Sequence, residues 1–138
     1  MLKTFAAAAV ALATFASPAL AQEPRGAAMV TRLLDATASE IGLTAGARTT
    51  GRLSQNGVQT ATLAAPAGTV YFIGVCDEGC SDVDLIVRDP SGREVGRDFE
   101  LDDVPVVAVQ QGAAGAYTVE VSMASCTGSC NWGVGVFR

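Results

Sequence analysis

Histidine is absent from this 138-residue chain. Its absence removes the commonest general base, the Ser-His and Cys-His catalytic pairs, and the commonest ligand of zinc and copper. Basic residues are scarce as well, with 9 Lys and Arg against 14 Asp and Glu and a formal net charge of −5. That balance excludes the basic footprint of a nucleic-acid binder. Aromatic residues make up only 6% of the chain, little material for a sugar-stacking cleft. After the first 21 residues no apolar run is long enough to span a bilayer, which takes about 20 residues. Neither collagen-like nor disordered composition applies. With 49% hydrophobic and 17% charged residues, the chain fits one ordinary globular domain.

Residues 1–21 read as an address. Lys3 supplies the positive start, an apolar run spans 5–16, and Ala19-Leu20-Ala21 is a small-x-small cleavage site before Gln22. A retained anchor fits less well, because alanine dominates the run and Ser17-Pro18 interrupts it. No cysteine lies at the cleavage point, so no lipid anchor is expected. Cleavage after Ala21 leaves 138 − 21 = 117 residues and removes the single lysine, so 8 Arg face 14 acids, a charge of −6. A chain of that length buries around 65% of its unfolded surface, enough for one core. The expected location is periplasmic or secreted.

Two periodicities follow. Residues 22–43 form the first unit, where Ala27, Val30, Leu33, Leu34, Ala38 and Ile41 recur at spacings of three and four. They predict one amphipathic helix over 27–41, with Gly42 as its stop. From residue 44 to 138 the period is two. Strong strands are predicted at 57–64, 69–76, 82–89, 116–123 and 131–137, and weaker ones at 48–53, 93–99 and 104–109. Turn chemistry separates them, as in Ser54-Gln55-Asn56-Gly57 and Asp89-Pro90-Ser91-Gly92. Eight short strands at a spacing of roughly 8–12 residues predict an all-β antiparallel sandwich. The connections are too short for crossover helices, which excludes βαβ construction.

Four segments occur in an order that resembles the bacterial pre-peptidase C-terminal domain family. They are Gly68-Thr69-Val70-Tyr71-Phe72, then Ser81-Asp82-Val83-Asp84-Leu85-Ile86-Val87, then Asp89-Pro90-Ser91-Gly92, then Ala114-Gly115-Ala116-Tyr117-Thr118-Val119-Glu120-Val121. The resemblance covers about residues 48–123. It implies a jelly-roll-like β-sandwich serving export, maturation or substrate binding rather than chemistry. Here the sandwich stands without a peptidase, and the cysteine pairs and the N-terminal helix lie outside the family pattern.

The four cysteines form two C-x3-C pairs, Cys76 with Cys80 and Cys126 with Cys130. In an exported domain four cysteines imply two disulfides. A tetrathiolate zinc site is the weaker reading, since structural zinc pairs favour C-x2-C spacing and exported thiols meet an oxidising environment. Gly79 and Gly128 give each pair the freedom to close locally, so 76–80 and 126–130 are favoured, with crossed pairings open. Each five-residue loop would contribute about 2 kcal/mol in the chain-entropy model.

Ten of the 14 acids fall between Asp77 and Asp103. A solvated face with turn-forming aspartates is the plain reading. The sharper one is calcium held by Asp77, Asp82 and Asp84, since hard oxygen ligands and an exported location suit it, although no EF-hand pattern is present. No other cofactor is expected. Ser81, Ser122 and Ser125 have no histidine or lysine base in the mature chain, so no catalytic residue is assigned. The leading functional expectation is a non-catalytic exported binding or accessory module, its partner a protein or an envelope or extracellular polymer. The alternatives are a small carboxylate-dependent hydrolase and an assembly partner that docks through the helix.

Overall fold

The computed structural model describes Ser17 and residues 25–138. The leader and its cleavage site, apart from Ser17, lie outside the described residues. Helix α1 (Ala27–Glu40) buries Val30, Leu34 and Ala38, one stripe at four-residue spacing. It stops where expected. Gly42 turns left-handed at φ 73°, its N–H bonds Ser39 O at 3.2 Å, and Leu43 N–H bonds Ala38 O at 2.8 Å. Those paired bonds satisfy carbonyls that the helix end would otherwise leave open.

Eight strands follow: β1 (Ala45–Ser54), β2 (Val58–Ala65), β3 (Gly68–Cys76), β4 (Cys80–Arg88), β5 (Glu94–Asp98), β6 (Val106–Gly112), β7 (Gly115–Cys126) and β8 (Ser129–Phe137). They form two four-stranded antiparallel sheets, ordered β1-β8-β3-β6 and β2-β7-β4-β5. The pairs β1·β8, β2·β7, β3·β6 and β4·β5 show a chain doubled into one ribbon. Folding that ribbon over itself adds β3·β8 and β4·β7. This is a jelly-roll sandwich, with β1, β6, β2 and β5 at the sheet edges.

Alternation supplies the core. Val83, Leu85 and Val87 of β4 meet Val119, Val121 and Trp132 between the sheets. Tyr117 packs its ring 5.3 Å from that of Phe72 and donates its hydroxyl to Ala113 O at 2.7 Å, so its polar end is satisfied. Trp132 lies directly over Gly51, its register partner on the edge strand β1, where any Cβ would overlap the indole. A glycine at that place gives the largest core side chain its room.

The outer face of the first sheet is covered by α1. Val30, Leu34 and Ala38 form a second buried cluster with Ile73, Val75 and Phe137. Gly133 allows the close approach, since a Cβ there would stand 3.1 Å from Leu34 Cδ1 and 3.3 Å from Val30 Cβ. Asp35 on α1 pairs with Arg48 on β1. The helical stripe is therefore spent within the chain, which removes the reading in which it docks on an assembly partner. No helix among the described residues is long and apolar enough to cross a membrane.

Two substitutions test these contacts. Leu34→Ala is expected to cost about 2–5 kcal/mol and lower Tm by about 8 °C or more, while Ile41→Ala, exposed at the helix end, changes little. Gly51→Val is expected to displace Trp132, seen as a red shift in the emission of the only tryptophan together with a lower Tm.

Candidate functional site

Three regions carry polar chemistry: the cysteine end, the opposite end, and the β5–β6 loop with the outer face of the second sheet. At the cysteine end, Cys76 is bonded to Cys80 across the β3–β4 turn and Cys126 to Cys130 across the β7–β8 turn. Gly79 and Gly128 take φ 86° and 80°, which lets each short loop close. Thr127 N–H bonds Gly79 O at 2.8 Å, so the two loops brace each other. No cysteine is free among the described residues. Beside them a cleft of about 750 Å³ is lined by Arg25, Met29, Arg52, Asp77, Glu78 and Asn131. Asp77 is already engaged there, accepting from Asn131 N at 2.9 Å and from Asn131 Nδ2 at 2.6 Å.

The opposite end holds a cleft of about 620 Å³ lined by Asp89, Arg93, Glu94, Gln110, Gln111 and Tyr117, among others. Its acids are committed to structure. Asp89 Oδ1 accepts from Ser91 Oγ at 2.6 Å and from the N–H groups of Ser91 and Arg93 at 3.0 Å. The Ser91 hydroxyl, more than the backbone bonds, holds the Asp89 carboxyl below the ordinary carboxylate range. Arg97 bonds Glu94 and lowers it likewise. The Asp89–Gly92 segment shared with the family resemblance is thus a self-capped turn.

The third region is different. Asp82 and Asp84 stand on β4 away from the sheet–sheet core and Asp98 closes β5, whereas Asp102 lies in the loop of residues 99–105. That loop runs on beside β4 and is pinned to both sheets. Val83 N–H bonds Asp102 O at 3.1 Å, and Gly74 N–H bonds Pro105 O at 2.9 Å. Asp98 accepts from Glu100 N at 2.9 Å and from Val106 N at 2.8 Å, and Asp102 Oδ1 accepts from Val104 N at 3.0 Å. The loop holds Leu101 88% exposed and Phe99 49% exposed, with the Arg97 guanidinium 5.0 Å from the Phe99 ring centre. Asp84 is raised above the ordinary carboxylate range, first by burial and then by the charges of Asp82, Asp98 and Asp102. The buried Oδ1 atoms of Asp82 and Asp84 have no hydrogen-bond partner.

One expectation needs correction. Asp77 does not join Asp82 and Asp84, because its turn folds toward β8 and both its oxygens go to Asn131. Among the described residues no group of three or more His, Cys, Asp or Glu side chains is placed to hold a metal. Phe99 and Leu101 escaped the sequence reading, which ended a strand at Phe99. The available signal was two apolar residues interleaved with Glu100, Asp102 and Asp103 between strands.

No family model and no curated protein matches the chain. Among solved structures it is similar to a periplasmic inhibitor of g-type lysozyme from Aeromonas hydrophila, at 20% identity and a TM-score of 0.45, covering 65% of this chain and 84% of that one. A likeness of that degree assigns no activity.

The Asp84 shift has a sign. A carboxyl raised in the folded state contributes stability that is present below its unfolded pKa and lost as pH rises through the folded one. Asp84→Asn is therefore expected to raise Tm at pH 7 and to leave Tm unchanged at pH 3. Thermal melts at the two pH values check it.

Proposed function

We propose that this chain is an exported, non-catalytic binding module that presents its β5–β6 loop to a cationic protein with an apolar cleft. The observation that carries the reading is Leu101, 88% exposed on a loop hydrogen-bonded to both sheets. Isolated exposed leucines are ordinary. Here Leu101 and Phe99 stand two residues apart on a segment whose backbone is hydrogen-bonded to both sheets, so burying them in a partner loses little loop entropy. Asp98, Glu100, Asp102 and Asp103 surround them on a chain of net charge −5, which favours and steers a basic partner.

Export is supported by two disulfides, which persist in oxidising compartments, and by the leader-like residues 1–21. The carboxylate-dependent hydrolase loses ground, because Asp89, Glu94 and Asp77 are each bound to neighbours. Ser81 and Ser125 bond each other at 3.0 Å, and residues 22–138 contain no histidine or lysine to activate either. The accessory role itself rests on the pre-peptidase C-terminal resemblance, of which the jelly roll bears only on the expected fold.

The test is binding of residues 22–138 to a panel of small basic secreted proteins and to acidic controls. Binding to a basic member that weakens with salt supports the reading. Leu101→Ser and Phe99→Ser should each weaken it about tenfold or more with Tm unchanged. Binding indifferent to both substitutions, no binding to any basic member at low salt, or hydrolytic turnover by the purified chain would each overturn it.

A further inference from the structure

We infer that the free edge of β2 pairs with the same edge of a second copy of this chain, joining the second sheets of two molecules into one. The pairing does not depend on the partner proposed above, since β5 and its loop lie at the opposite edge of that sheet. Of the four edge strands, three carry features that discourage edge-to-edge pairing. β1 carries Arg48 and Arg52 and is irregular between Ala45 and Arg48. β5 is five residues long and holds Glu94, Arg97 and Asp98. β6 begins after Pro105 and ends where Gln111 turns left-handed at φ 51°. β2 has none of these. Its eight residues, Val58-Gln59-Thr60-Ala61-Thr62-Leu63-Ala64-Ala65, include no charge, proline or glycine and follow β7 without a register shift.

The backbone shows which groups are open. Gly57 O accepts from Met123 N at 2.9 Å, which turns the odd-numbered residues that follow it toward β7. The N–H and C=O groups of Val58, Thr60, Thr62 and Ala64 therefore point away from β7, and among the described residues β2 pairs with no other strand. All four residues are exposed, Val58 at 58%. An antiparallel second copy centred on Ala61 bonds Thr60 to its Thr62 and Val58 to its Ala64, which uses every outward backbone group of the strand. Threonine then faces threonine, and Ala64 of the second copy covers Val58. Charge favours this edge for two copies of one acidic chain. Ten of the 14 acids fall between Asp77 and Asp103, on β4, β5 and their loops, whereas β2 is the edge of the sheet farthest from β5. The acid opposite Thr60, Glu120 on β7, is paired with Arg88 at 3.8 Å. Two copies therefore meet along β2 without bringing like charges face to face.

Sedimentation equilibrium of residues 22–138 over about 0.01–1 mM, paired with amide hydrogen exchange, tests the contact. The expected result is a monomer–dimer equilibrium in which the amides of Thr60 and Thr62 exchange about tenfold more slowly as the protein is concentrated. The amides of Gln59, Ala61 and Leu63, bonded to β7, should be protected at every concentration. Thr60→Lys combined with Thr62→Lys should stay monomeric and keep the parent Tm, because both positions are exposed. Thr60→Glu combined with Thr62→Glu should also stay monomeric. An equal mixture of the two variants should form a mixed dimer, since each new ammonium then faces a carboxylate. A parent chain that remains monomeric at about 1 mM overturns the inference. So does a dimer that persists in the Lys variant, a mixture that does not associate, or a dimer in which the Thr60 and Thr62 amides gain no protection. Association lost in Leu101→Ser would place the contact at the β5–β6 loop and overturn it as well.

Discussion

The packing of α1 on Gly133 is the contact from which the rest of the arrangement follows. With Val30 and Leu34 seated over β8 and β3, the first sheet is buried on both faces. Its central strands accordingly lose their alternation, and Phe72, Ile73 and Val75 are all buried. The second sheet has no such cover. Its outer face and its edge loop are where polar chemistry can meet a partner, and there the acids collect.

The two ends of the sandwich are made rigid by different means. At the cysteine end, two local disulfides and the Thr127–Gly79 bond brace adjacent turns. At the other, Asp89 caps its own turn and Tyr117 ties its hydroxyl to Ala113. The β5–β6 loop has no disulfide and combines the other two devices. Asp98 folds it by accepting two backbone amides, and backbone bonds to Val83 and Gly74 hold it against both sheets. A loop fixed in this way keeps Leu101 in solvent without letting it collapse onto the surface. Presentation, rather than enclosure, is what this architecture supports.

Much of this was legible in the residues themselves. The α1 stripe, its stop at Gly42, the inward row Val83, Leu85 and Val87, and the core placement of Trp132 all follow from local periodicity. The weak strand 104–109 begins later, at Val106, because Pro105 lends its carbonyl to Gly74 and its ring to the core side of β3. Asp77 could not be placed from sequence. Its neighbours in the chain are Cys76 and Glu78, but its partner is Asn131, 54 residues away. The isolation of Asp82 and Asp84 from arginines, and the exposure of Leu101, likewise depend on pairings distant in sequence.

The central claim is that the β5–β6 loop is built before any partner arrives. Amide hydrogen exchange of the free protein, read residue by residue, addresses it directly. The account predicts that the amides of Val83, Val104 and Val106 exchange far more slowly than an unstructured peptide, protected by Asp102 and Asp98. Exchange at free-peptide rates for Val104 and Val106, in a protein whose β3 and β7 amides stay protected, would contradict it.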